Sequence, residues 1–185
     1  MTTVVRRSSA SLPFLLGFLS AFVFAVVGIY LYLHFGHPPV AVADAPFPQE
    51  GQIVHVPLSA RINRELATSP TPTPADFLAG AHIFTTQCAV CHGTPTQDSP
   101  IAKQMFPSAP QLWRKHGNSA VVGVSDDEAG ETYWKIANGI RLSGMPAFNH
   151  LLNQTEMWQV SLLLKHADQP LDPQVTAALT TSTRP

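Results

Sequence analysis

Charge is scarce in this chain. Only 12% of its 185 residues are Asp, Glu, Lys or Arg, and the formal net charge is −1. There is no basic footprint for a polyanion, which excludes nucleic acid as a partner. Cysteine is scarcer still: Cys88 and Cys91 are the whole inventory. A structural zinc site takes four ligands, and no second cysteine pair exists to complete one. A disulfide between the two would close a very short loop and stabilise little. No internal repeat is present either. What abounds is proline, at 17 residues, together with apolar residues, at 45%. Both are unevenly spread.

The two cysteines stand in the run Cys88-Ala89-Val90-Cys91-His92. C-x-x-C-H is the attachment pattern of c-type haem. The spacing has a chemical reason. Each of two thiols three positions apart can add to one vinyl group of a porphyrin, and the next residue then supplies the proximal nitrogen to the iron. A thioredoxin-like C-x-x-C would need a flanking strand–helix–strand pattern, and none is seen. One covalent haem c through Cys88 and Cys91, with His92 on the iron, is therefore expected.

The apolar excess is concentrated between Leu12 and Phe35, a stretch whose only ionisable side chains are Tyr30, Tyr32 and His34. A helix of this length spans about 36 Å, enough for a hydrocarbon core of about 30 Å. Tyr30 and Tyr32 lie near its far end, where aromatic rings favour the interface, and Arg6 and Arg7 precede it. This reads as a retained signal-anchor over residues 1–35 of a bacterial cytoplasmic membrane, with the bulk of the chain on the periplasmic side. A cleaved signal peptide is the alternative, because Ala41-Val42-Ala43 matches an A-x-A site, although the apolar run exceeds an ordinary signal core. Arg6-Arg7 could also suggest a twin-arginine signal, but the residues around the pair add nothing to it. Every reading puts the cysteines across the membrane.

Residues 36–74 hold Pro38, Pro39, Pro46, Pro48, Pro57, Pro70, Pro72 and Pro74. A long helix is not expected there. The segment reads as an extended linker arm with a short strand-like run around Gln52–Leu58, and Ile53, Val56, Leu58, Ile62 and Leu66 suggest that it packs on something. A globular part of mostly α class follows over residues 75–172. A first helix from about Asp76 delivers Cys88, irregular loop fills Gly93 to Gly123, a helix ends at Gly139, and a last one runs from about Thr155 to Ala167. Residues 173–185 are small and polar and read as a flexible tail.

The iron's other face could take Met105, Met145, Met157, His82, His116, His150 or His166. Met157 sits in the last helix, where packing is its ordinary role. Met105 has only a short route from His92 around a porphyrin edge. Met145 lies on a loop, where Gly144 lets the backbone approach closely and Pro146 keeps Met145 out of any helix. That presentation suits ligation better than packing.

From about Ala75 to Ala167 the chain resembles class I cytochrome c. Gly80, Phe84 and Cys88 repeat that family's G-x-x-x-F-x-x-x-C-x-x-C-H pattern, and Gly144-Met145-Pro146 looks like its distal methionine loop. Trp158 and Leu162 look like the residues of its final helix that pack on the first, with Gly80 at the crossing. Pro110-Gln111-Leu112 resembles its proline loop, whose proline carbonyl holds the other nitrogen of the proximal histidine. Trp113 follows directly, placed to reach a haem propionate. The resemblance thus implies a haem pocket that includes Pro110, Leu112 and Trp113, with His92 and Met145 on the iron. The loop between His92 and Pro110 is longer than in the family's shortest members.

The function implied is single-electron transfer by an electron carrier, not an enzyme, since two axial ligands leave no place for substrate. Partners would be a quinol-oxidising complex, a terminal oxidase, a reaction centre or a periplasmic dehydrogenase. An open-iron haem enzyme or gas sensor, and an accessory subunit of a membrane redox complex, remain the alternatives.

Overall fold

A computed structural model describes residues 11–115, 117 and 120–180. Arg6, Arg7 and His116, named above, lie outside the described residues. The described part is helical, with isolated bridges but no strand. The chain divides between Pro48 and Gln49 into two compact units.

The first unit carries α1 (Ser11–Phe35), 25 residues with no buried side chain. By length and composition it is long and apolar enough to cross a membrane. Beyond it, the N–H groups of Val40 and Ala41 both donate to the Asp44 carboxylate at 2.8 Å.

The second unit carries α2 (Glu50–Glu65), α3 (Pro74–Ile83), α4 (Ala89–His92), α5 (Ala129–Asn138), α6 (Gln154–Lys165) and α7 (Pro173–Thr180). A π-helical turn, Phe84–Cys88, joins α3 to α4. Helix starts are written locally. Pro74 stands in the first turn of α3, and the Asp76 carboxylate reaches back to accept from the Thr73 N–H at 2.9 Å and its hydroxyl at 2.7 Å. Asn153 and Glu156 form the reciprocal box that starts α6, with bonds of 3.1 and 2.7 Å.

The core gathers where α3 crosses α6. Ala81, Phe84, Val160 and Leu163 are fully buried there, with Ile136 from α5 and Met157 from α6 beside them. Gly80 makes the crossing possible: a Cβ at this position would run into the backbone carbonyl of Gln159. The α5–α6 contact includes Tyr133 stacked on Trp158, ring centres 4.3 Å apart.

Two expectations need correction. The arm over residues 36–74 is not extended throughout, since Glu50–Glu65 is helical despite Pro57 in its middle. Proline removes one backbone hydrogen bond and disfavours a helix interior. Here docking of the helix's C-terminal half outweighs that cost, with Ile62 buried to 2% exposure. The strand-like run around Gln52–Leu58 lies inside this helix. The tail over 173–185 is likewise not wholly loose, because Pro173–Thr180 is α7. Its Val175 and Leu179, four positions apart and so on one face, are both buried in the core. The Thr85 hydroxyl donates to the Ala178 carbonyl at 3.1 Å.

Candidate functional site

The site grows from the helical run that begins at α3. Its π-helical turn ends at Cys88, and α4 then carries Cys91 and His92. Single π turns inside helices are frequent at functional sites. Cys88 and Cys91 are both free and half-buried. Burial, with the neighbouring Cys91 as a lesser cause, pushes the Cys88 thiol up to about 12. The sulfur is thus a neutral group at ordinary pH.

His92 Nδ1 lies 2.8 Å from the Pro110 carbonyl oxygen. A carbonyl only accepts, so Nδ1 carries the proton and donates. Nε2 is then left with its lone pair, the form in which imidazole binds a metal. Burial holds the His92 pKa below the usual imidazole value, against the opposing pull of the Pro110 bond.

The loop that brings Pro110 into place is fastened by polar residues that spacing alone does not reveal. The Gln111 side-chain amide donates to the Thr94 carbonyl at 2.9 Å, and its oxygen accepts from the Trp113 N–H at 2.9 Å. Arg114 pairs with Asp98 at 2.9 Å. The Ser99 hydroxyl donates to the Val90 carbonyl at 2.5 Å, inside the cysteine motif itself. Gln, Asp and Ser in a loop are too common to signal such roles.

Leu112 is buried, and the Trp113 ring stands edge-on to Phe84 at 5.2 Å. The Trp113 indole N–H is buried and has no hydrogen-bond partner among the described residues. A buried donor left this way is costly and calls for a partner. The distal loop closes through the Ile140 N–H, which donates to the Met145 carbonyl at 3.1 Å. The Ser143 hydroxyl accepts from the Met145 N–H at 3.3 Å. Gly144 has φ +78, and a Cβ on it would meet the end of the Met105 side chain. Cys88, Trp113 and Met145 all pack against the one buried core. Met105 lies beside the Met145 loop, whereas Met157, His82, His150 and His166 sit elsewhere. Met157 is 4% exposed inside that core. His166 leans edge-on against Phe77 and bonds the Leu162 carbonyl, while His82 and His150 are exposed.

Residues 75–162 match a family model described as cytochrome C oxidase, cbb3-type, subunit III. This stretch is a c-type cytochrome domain. Comparisons with curated proteins and with solved structures found no match.

The cytochrome domain implies haem c and haem-based electron transfer, and the residues present fit such a group. Two unpaired thiols stand three positions apart, the adjacent imidazole is held in its metal-binding tautomer, and a buried indole donor awaits an acceptor. A propionate carboxylate is such an acceptor.

Proposed function

We propose that this chain carries single electrons through one haem c, held by thioether bonds at Cys88 and Cys91 with His92 and Met145 as axial ligands. The observation that carries the reading is the His92–Pro110 hydrogen bond, 2.8 Å long, on the same helical run as both cysteines. When bound, the haem supplies a reversible one-electron iron couple, whose potential methionine ligation raises.

The protein's own residues set the conditions for that couple. The Pro110 carbonyl fixes the orientation and basicity of His92. The Ile140–Met145 bridge and the Ser143 hydroxyl hold the Met145 backbone so that its side chain is presented from a closed loop. Trp113 offers its indole N–H to a propionate, and Leu112 and Phe84 keep water from that side. The α1 helix anchors the chain in a bacterial cytoplasmic membrane, with the domain at the periplasmic face. The matched family's printed description supports a membrane redox complex as partner.

The test is the covalent bond. Protein denatured in the presence of a reducing agent should keep its haem stain on a gel, and Cys88→Ala with Cys91→Ala should abolish it. Haem that washes out of the native protein on denaturation overturns the reading.

A further inference from the structure

The loop over residues 93–110 ends on Pro110, and one side chain inside it reaches the loop that carries Met145. A Cβ added to Gly144 would stand 2.7 Å from the terminal methyl of Met105. Met105 therefore covers the backbone of the residue next to Met145. Gly144 suits this contact in two ways. Its φ of +78 lies in the left-handed region, and its missing side chain leaves the space that the methyl occupies. Met105 is half-buried, and an unbranched thioether fills such an irregular gap well. The Met105 backbone is held just after the short 3₁₀ turn Ala102–Gln104. Its N–H donates to the Ala102 carbonyl at 3.4 Å, and its carbonyl accepts from the Ser108 hydroxyl at 3.4 Å.

The Met145 loop has hydrogen bonds of its own, and they serve a different purpose. The Ile140 N–H donates to the Met145 carbonyl at 3.1 Å, and the Ser143 N–H donates to the Ile140 carbonyl at 3.2 Å. At the far end the Phe148 N–H donates to the Ile136 carbonyl at 2.9 Å. These bonds shape the loop and root it on α5, and all lie within residues 136–148. They do not fasten its tip, where Arg141, Leu142 and Gly144 are exposed. A loop with few buried contacts opens at little cost. Met105 adds a contact from elsewhere in the chain, on the residue beside the thioether. The loop over residues 93–110 thus serves both sides of the site. Its Pro110 accepts from His92, and the chain between Met105 and Pro110 reaches about 17 Å when extended.

We propose that Met105 is a positioning residue for the distal ligand: its side chain latches the Met145 loop through Gly144 and slows the departure of Met145 from the iron. The inference rests on the His92 and Met145 ligation proposed above, and its test tells the two apart.

Carbon monoxide is the probe. In the reduced full-length holoprotein it binds after Met145 leaves, so at saturating gas the binding rate reports loop opening. Met105→Ala should raise that rate about tenfold, the factor that corresponds to about 1.4 kcal/mol. Met105→Val, a milder truncation, should raise it less. Met105→Leu keeps the bulk and loses the sulfur, and should stay near the native rate. Gly80→Ala strains the α3–α6 crossing and should lower the unfolding temperature without raising the rate. In oxidised Met105→Ala the far-red band should be present in the cold and fade on heating before the helical circular dichroism does. Native rates in both Met105→Ala and Met105→Val overturn the latch. An equal rise in Gly80→Ala overturns it too, since the effect would then be one of general stability. A native protein that lacks the far-red band and takes up carbon monoxide at once overturns the methionine ligation beneath the inference instead.

Discussion

His92 and Pro110 stand eighteen positions apart in the chain, and their side-chain nitrogen and backbone oxygen meet at 2.8 Å. One hydrogen bond therefore spans the whole irregular loop between them. It selects the tautomer of the imidazole and leaves Nε2 with its lone pair. Because the acceptor is a backbone carbonyl, proline at this position shapes the loop without supplying the bonding atom. Gln111, next in sequence, ties the same loop back to Thr94 and so keeps the carbonyl in place.

The choice of distal ligand is open to a direct spectroscopic check. Thioether ligation gives low-spin iron and a weak far-red band in the oxidised protein. Met145→Ala should remove that band, lower the potential and open the iron to carbon monoxide, because methionine ligation raises the potential. Met105→Ala and Met157→Ala should keep the band, while Met157→Ala should cost about 2–5 kcal/mol of stability as a buried truncation. Loss of the band in Met105→Ala with retention in Met145→Ala would reverse the assignment.

Trp113→Phe keeps the ring beside Phe84 and removes the N–H. If that donor serves a propionate, its loss should raise the propionate pKa, because a hydrogen bond to the charged carboxylate favours the charged form. The pH at which the reduction potential begins to change should move upward, with the covalent haem retained. An unmoved pH profile would show that the indole has no such partner.

Gly80 separates packing from ligation. Gly80→Ala places a methyl against the Gln159 carbonyl, and overpacking of this kind costs about 1–3 kcal/mol. Thermal unfolding should report the loss, while the far-red band below the transition stays unchanged. Truncation after Asp172 makes a parallel point for α7. Removing Val175 and Leu179 from the core should cost about 3–6 kcal/mol, at 1.5–3 for each buried side chain.

Asp76 supplies an acid-side dependence. Its carboxyl is held below the usual carboxylate range, chiefly by the Thr73 hydroxyl, then by the Thr73 N–H and the Gln159 amide. A pKa lower in the folded state means stability that is present above the unfolded value and lost as pH falls through the folded value. Asp76→Asn should therefore be less stable than the native protein at neutral pH. The gap should close in acid, and unfolding curves recorded at both pH values would show whether it does.

Some of this molecule could be read before any fold was known. The cysteine motif is legible because the chemistry of c-type haem attachment demands adjacency, and Cys88, Cys91 and His92 stand at the spacing that two vinyl groups and an iron would require. The α1 helix is legible because an unbroken apolar run needs no partner to declare itself. Gly144 and Pro146 mark the Met145 loop by their own backbone constraints. The Pro110 carbonyl was reachable only through resemblance, and the distance to His92 gives it physical content.

Other features depend on contacts between residues far apart in sequence. Helix α2 contains Pro57, and locally it argues against itself. Its helical state is supported by the burial of Ile62 and by Glu65 docking on α5, with Glu65 and Trp134 separated by 69 positions. Helix α7 is short and poor in charge, and only the burial of Val175 and Leu179 among the core residues makes it stand. The sequence by itself determined where a haem would be attached and which stretch is apolar enough for a membrane, because covalent reach and hydropathy are local properties. The tertiary structure alone decided how much of the proline-rich segment is helix, because docking balances a helix's local cost against burial that no short window of sequence contains.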